Sequence, residues 1–334
     1  MTSLPSAATV PDMKAVGRHL HFDRAGLRAA DGSFSIDPSR KVPVALVSHA
    51  HGDHAIPGHG VVYATRSTWE LMKERYSDKL VADFREVEFG RPFRVGPMTI
   101  TYYPAGHILG SAQILLEQEG VRYLYTGDFK VHDDPTCEPF HHVKCDYLIT
   151  ETTFAHPDYS HPDAGEELAS LCDAEGRLVI GAYAVGKAQR ITRLLHDYAP
   201  GRTVYVHPLI GGYHRVYETA GVHLGEWRPY SRKEFLEDER GVLILPPSVF
   251  SRYERHQGAI KVFATGWKRS YYRCDRVLSI SDHADWDGLM KVISSSGAHT
   301  IFTLHGDGTM LRDRLIGSGP NVELLEHRAG EQKT

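Results

Sequence analysis

The densest chemistry in the chain lies at Ser48-His49-Ala50-His51-Gly52-Asp53-His54, directly behind the apolar run Val42-Pro43-Val44-Ala45-Leu46-Val47. A strand end fixes the backbone, and a short loop after it can aim several side chains at one point. His49 and His51, two residues apart, can face one side and share a cation; Asp53 and His54, in the following turn, can face a second. Imidazole and carboxylate together suit zinc, but also manganese or iron, because no thiolate biases the choice. Two further groups stand where strands are expected to end. His107 sits between glycines in Gly106-His107-Ile108-Leu109-Gly110, and Asp128 closes Tyr125-Thr126-Gly127-Asp128. A carboxylate has two oxygens and can bridge two cations about 3.5–4 Å apart. A water between two such cations loses a proton near neutral pH, which is the chemistry of a hydrolase.

The elements that must carry these groups read as β-rich at first, with strands over 42–48, 61–65, 97–103, 112–117 and 121–126 and their Val, Ile, Leu and Tyr bounded by Gly and Pro. Helices are expected over 67–76 and 162–174. The middle then alternates strand and helix: strands at 177–182, 203–207, 241–245 and 259–264, helices at 187–198 and 231–237. That is the rhythm of a parallel α/β unit. Segments 277–280, 286–294 and 300–304 read as a return to the first architecture, so residues from about 160 to 270 form an insertion. A chain of 334 residues is long for one core, which agrees with two domains.

Composition narrows the class. Hydrophobic residues at 41% and charged residues at 24% are ordinary for a soluble globular protein. A formal charge of -4 excludes a generally basic coat, so any polyanion site must be a local patch. No apolar run suits a signal peptide or a membrane span, and a cytoplasmic location is expected. Cys137, Cys145, Cys172 and Cys274 make no CxxC pair, which argues for free thiols rather than a zinc ribbon. The 21 histidines outnumber the 12 phenylalanines. Gly181 to Ala188 nearly fits a phosphate-binding loop for ATP, but Ala188 stands where the metal-binding hydroxyl should be. The helix start at Gly186-Lys187 could still offer backbone N–H groups to a phosphate.

In this order, His-x-His-x-Asp-His, then Gly-His, then Gly-Asp, the chain resembles the metallo-β-lactamase-fold hydrolases. Thr150-Glu151-Thr152-Thr153-Phe154 resembles the acidic motif of the β-CASP nucleases within that fold. Ser281-Asp282-His283-Ala284-Asp285 and Leu304-His305-Gly306-Asp307-Gly308 resemble their two late histidine motifs, and Gly181-Ala182-Tyr183-Ala184-Val185-Gly186-Lys187-Ala188-Gln189-Arg190 is similar to the segment that opens their insertion. The compact size resembles the bacterial DNA ligase-associated exonucleases. The resemblance implies an α/β fold, an αββα metallo-β-lactamase sandwich over 1–159 and 271–334 with an inserted β-CASP α/β domain over 160–270. It implies two divalent cations, one on His49, His51 and His107, the other on Asp53, His54 and His305, with Asp128 bridging. Asp53, Asp128, Glu151 and His283 become the catalytic set. His283 is the expected general acid, oriented by Glu151, and Asp23 in His21-Phe22-Asp23 the expected support of the metal loop.

A stretch from Arg252 to Arg276 interleaves cations with Tyr253, Trp267, Tyr271 and Tyr272. Bases stack on aromatic faces while Lys and Arg follow phosphates. Lys187, Trp267, Lys268, Arg269 and Tyr271 are therefore candidate nucleic-acid contacts. The reaction expected is metal-dependent phosphodiester hydrolysis, best matched to a DNA exonuclease on single-stranded or resected ends that serves repair, in functional association with a DNA ligase. An RNA-processing nuclease is the first alternative. A glyoxalase II-like small-molecule hydrolase would need neither Glu151, His283 nor the insertion, and a non-catalytic subunit would not need every ligand.

Overall fold

The computed structural model describes residues 13–171, 174–253, 258–270 and 272–325. Two seven-stranded sheets lie face to face. The first begins with antiparallel strands Lys14–Val16, Leu20–Asp23, Gly26–Ala29 and Ser35–Ile36, then continues in parallel through Val44–Leu46, Val61–Ala64 and Asp83–Glu86. The second runs Asn321–Leu324, Thr300–Leu304, Tyr147–Glu151, Val121–Tyr125, Ala112–Gln118, Met98–Pro104 and Phe93–Val95.

Alternation along a strand sends side chains to opposite faces, and here both faces are covered. Ile114 and Leu116 enter the core between the sheets with Leu20, Leu46 and Phe302. Leu115, between them, joins the outer core under the helix Trp286–Ser296, against Leu289 and Val292. Strands buried on both sides read as near-continuous apolar runs rather than as clean alternation. On the far side of the first sheet, helix α1 (Arg66–Tyr76) packs Trp69, Leu71 and Met72 on Ala45 and Val62. It starts at Thr65, whose hydroxyl accepts from the Thr68 N–H and donates to the Gly110 carbonyl. The result is an αββα sandwich.

A third sheet of six parallel strands forms the insertion, in the order Trp227–Pro229, Val204–Val206, Val242–Leu245, Arg177–Gly181, Ala259–Thr265 and Arg276–Ser279. Helices α2 (Ala164–Ala169) and α3 (Lys187–Tyr198) cover one face through Leu168, Ile191 and Leu195. Two expectations are corrected. Arg276–Ser279 pairs with Ala259–Thr265, so it completes the third sheet instead of returning to the first architecture, and that sheet runs past the boundary expected at 270. Helix α2 is also shorter than 162–174: the Asp163 carboxylate accepts from the N–H groups of Gly165 and Glu166 and starts it there. A helix absent from the sequence reading, α4 (Pro208–Thr219), packs Tyr213 and Tyr217 into the core of α1.

Candidate metal centre and active-site cleft

The loop after Val44–Leu46, the loop 105–111 and the end of Val121–Tyr125 meet at one edge of the sandwich. His49, His51, His107 and Asp128 bring one ligand atom each to within 4.8 Å of the others. His107 Nε2 stands 2.9 Å from His51 Nδ1, and His49 Nε2 is 3.5 Å from Asp128 Oδ2. His54 Nε2 approaches the same carboxylate oxygen at 3.4 Å. The His305 ring lies against that of His54, centroids 4.8 Å apart. Asp53 lines the cleft with them.

Each converging ring nitrogen is selected by what holds the opposite one. Hydrogen bonds join His51 Nε2 to the Val185 carbonyl at 3.1 Å and His107 Nδ1 to the Asp282 carbonyl at 2.6 Å. His54 Nδ1 meets Asp37 Oδ2 at 2.9 Å. His49 Nδ1 meets the Ser48 hydroxyl at 2.9 Å, and its Nε2 is buried with no hydrogen-bond partner. An orphaned ring nitrogen facing a carboxylate among three other imidazoles is what a metal ligand looks like without its ion. Burial pushes His49 and His107 well below the usual imidazole range and lowers His51 as well, so their lone pairs are available at neutral pH. Burial works to raise Asp128, but His54, His283 and His49 hold it well below the usual carboxylate range. The nitrogen and oxygen donor set fits divalent zinc, manganese or iron.

The support expected of Asp23 belongs to Asp37. Asp23 accepts from the Ala25 N–H at 2.7 Å and pairs with Arg28 and Arg40, a turn role away from the metal loop. Asp37 Oδ2 takes His54 Nδ1, the Ser48 hydroxyl at 2.5 Å and the Tyr125 hydroxyl at 2.9 Å, while Oδ1 takes the Ser48 N–H at 2.7 Å. Its φ of 41°, like the 52° of His305, is a left-handed conformation that non-glycine residues rarely adopt outside sites that require it.

Glu151 ends the strand Tyr147–Glu151 and is buried. Its Oε1 accepts from the Phe129 N–H at 2.7 Å; its Oε2 accepts from the Thr153 hydroxyl at 2.5 Å and from His283 Nδ1 at 2.8 Å. Burial works against a charged His283, but the Glu151 charge and hydrogen bond outweigh it and raise the imidazole to about 9. The His283 ring lies 4.8 Å from that of His107 and lines the cleft.

Behind the site, a buried ionic bridge links the sandwich to the unit built on the third sheet. Lys130 Nζ meets Asp134 Oδ2 at 2.6 Å, and Arg190 Nε reaches the same oxygen at 3.3 Å. Arg190 also donates to the Ser281 carbonyl at 2.6 Å. Lys187, expected at a phosphate, is buried and faces Asp282 Oδ2 at 3.4 Å; the structure gives it an ionic partner inside the protein instead. Gly186, at φ 87°, leaves no room for a side chain, since a Cβ there would lie 2.2 Å from Ile108. Its N–H donates to Gln189 Oε1, and with the Val185 carbonyl on His51 this helix start braces the metal-type loop.

The cleft above the cluster has a volume of about 890 Å³ and is lined by residues of the sandwich and by Tyr183, Lys187 and Thr265 from the unit of the third sheet. Trp267 packs edge-on and tilted against Tyr159 and Phe154, centroids 5.6 and 4.8 Å away. Exposed Lys268 lies over the Tyr159 ring at 5.9 Å and 3.9 Å from Asp158. Arg269 is exposed on the bend beyond them and does not line the cleft. Tyr271 lies outside the described residues.

Comparison with known proteins agrees with this layout. A family model described as a β-lactamase superfamily domain matches residues 20–207. The chain is 33% identical over 307 residues to a probable DNA ligase of Opitutus terrae, covering 84% of this chain and 29% of that one. It is 29% identical over 201 residues to an RNase J-like protein of Methanocaldococcus jannaschii, 52% of this chain and 48% of that one. It is 27% identical over 222 residues to the endoribonuclease ysh1 of Emericella nidulans, 52% of this chain and 25% of that one. The chain thus spans less than half the length of each of these relatives. A solved protein of unknown function from Enterococcus faecalis superposes with a TM-score of 0.59 at 15% identity, over 85% of this chain and 79% of the other, which shows the fold. The chain belongs to the metallo-β-lactamase superfamily, in its β-CASP nuclease family. No described helix is long and apolar enough to cross a membrane.

Proposed function

We propose that the chain is a two-cation phosphodiesterase that digests single-stranded or resected DNA from its ends, in repair alongside a DNA ligase. His49, His51 and His107 would hold one cation, Asp53, His54 and His305 the other, and Asp128 both. When bound, two such ions lower the pKa of a water and offset charge on the phosphoryl oxygens. The chain's own residues then serve the leaving group. Glu151 fixes His283 through Nδ1 and keeps the ring protonated at neutral pH, which leaves Nε2–H to donate to the departing oxygen.

The Glu151–His283 pair beside the histidine cluster carries this reading, since a hydrolase of small molecules would need neither it nor the insertion. DNA is favoured by the similarity along 84% of the chain to a protein named as a probable DNA ligase. RNA is the second reading, favoured by the RNase J-like and endoribonuclease relatives. Matched DNA and RNA oligomers, labelled at either end and digested with Mn²⁺ or Zn²⁺ supplied, decide between them. Stepwise loss from one end of the DNA alone is expected; preferential digestion of RNA would overturn the DNA assignment.

A further inference from the structure

Three Lys or Arg side chains line the cleft: Arg75, Lys187 and Lys268. Lys187 faces Asp282 at 3.4 Å and Lys268 faces Asp158 at 3.9 Å. No described carboxylate forms an ion pair with Arg75. It belongs to the last turn of α1, where a cation commonly answers the helix dipole, but its guanidinium reaches elsewhere. It lies on the backbone of Gly52, between the His51 and Asp53 positions of the metal loop: a Cβ on Gly52 would stand 2.5 Å from Arg75 Nη1. Its charge is felt at His51.

The surroundings hold the guanidinium in place without neutralising it. The hydroxyls of Tyr76 and Tyr213 lie against it, one from α1 itself and one from α4 of the insertion. The Tyr76 hydroxyl donates to the Ala55 carbonyl at 2.5 Å, which ties that side of the cradle to the end of the metal loop. Arg75 Nε is buried with no hydrogen-bond partner. A half-buried guanidinium oriented by neutral hydroxyls, without an ion pair to any described carboxylate and facing a cleft beside a cluster of metal-type ligands, is suited to a bidentate anion. It is also the cleft cation whose engagement by a ligand breaks no ion pair inside the protein.

We propose that Arg75 forms a phosphate subsite on the metal loop and takes a backbone phosphate of the strand next to the one being cut. This rests on the phosphodiesterase reading above. Gly52 is then required because a side chain there would displace the guanidinium from the loop.

The experiment measures binding, independently of turnover. Affinity of the full chain for a fluorescein-labelled single-stranded DNA oligomer is followed by anisotropy across a salt series, for the wild type, Arg75→Ala, Arg75→Gln and Arg75→Lys. Metal content and thermal midpoint are recorded for each. Loss of a charged, bidentate hydrogen bond weakens binding about 10- to 100-fold in Arg75→Ala. The salt slope falls by about 0.7 for the lost contact. Arg75→Lys recovers part of the affinity, since lysine keeps the charge without the fork. Arg75→Gln behaves as Arg75→Ala and serves if the alanine variant does not fold. Metal content stays that of the wild type. Unchanged affinity and slope in a folded variant would overturn the proposal, as would loss of bound metal in step with affinity, which would make Arg75 a prop for the loop. Oligomer binding that depends on Arg75 in a protein unable to cut any phosphodiester would leave the subsite standing and remove the proposed reaction.

Discussion

Replacing Asp37 by Asn tests whether that carboxylate, rather than the ligands alone, prepares the second metal position. Four donors converge on it: His54 Nδ1 at 2.9 Å, the Tyr125 hydroxyl at 2.9 Å, and the Ser48 hydroxyl and N–H at 2.5 and 2.7 Å. Asparagine keeps one acceptor oxygen and turns the other into a donor. If its amide nitrogen faces His54, the ring must accept at Nδ1. Its proton then moves to Nε2, and the lone pair directed toward Asp128 is lost. If the nitrogen faces the Ser48 N–H instead, a buried donor is left unpaired at a cost of about 1–3 kcal/mol. Loss of such a supporting partner lowers metal affinity about 10- to 100-fold, or about 1.4–2.8 kcal/mol at 1.4 kcal/mol per decade. His49 feels the change only through the Ser48 hydroxyl, which can rotate, so the first position suffers less. Titration against a graded series of chelators, with metal counted per chain, should show one of two affinities falling by that factor and the other moving far less. Two unchanged affinities in a folded Asp37→Asn protein would refute the reasoning.

His283→Ala should keep its metals and its oligonucleotide affinity but lose about 10²–10⁴ in kcat, as expected when a general acid is removed; a metal count that drops with the activity would instead make His283 a ligand. With His283 raised to about 9, the acid is present below that pH and is lost as pH rises through it, so kcat has an alkaline descending limb, and bound cations bring that limb below 9. Glu151→Gln removes the chief raising charge and should move the limb to lower pH in a kcat–pH profile, and an unmoved limb would disconnect the pair from proton transfer. Neutralising Lys268 and Arg269 together should flatten the salt dependence of binding by about one slope unit. Trp267→Ala should cost about 1–3 kcal/mol of affinity with the slope intact if the indole stacks a base, both read by anisotropy against salt concentration.

The histidine cluster was legible because its donors sit in short loops at strand ends, where residue type and spacing nearly determine direction. His49, His51, His107 and Asp128 come together as that logic requires. Asp37 was not legible: its place depends on an unusual φ and on contacts with His54 and Tyr125 that no local pattern records. Asp23 matches the family's early aspartate only by its place in His21-Phe22-Asp23, and its contacts are those of a turn. Lys187 sits in a glycine-flanked turn that resembles a phosphate loop, and only the tertiary position of Asp282 shows that its charge is already answered. Helix α4 is not legible in the sequence because Gly211 and Gly212 interrupt its apolar pattern, although a Cβ on Gly212 would collide with the Glu74 side chain of α1. The strand Arg276–Ser279 could not be assigned to a sheet from its own residues, since one short apolar strand reads like another until its partner is known.

The ionic bridge of Lys130, Asp134, Arg190, Asp282 and Lys187 also bears on how a substrate enters. Swinging the six-stranded unit away from the sandwich would part Arg190 from Asp134 and Lys187 from Asp282, and each charge would lose its partner. Removing one partner of such a buried pair by substitution costs about 3–5 kcal/mol, because the other charge stays buried. The bridge therefore ties one wall of the opening to the strands and loops that carry the metal-type ligands. For the proposed nucleic-acid substrate, this opening would then sort strands by their width before any base is read.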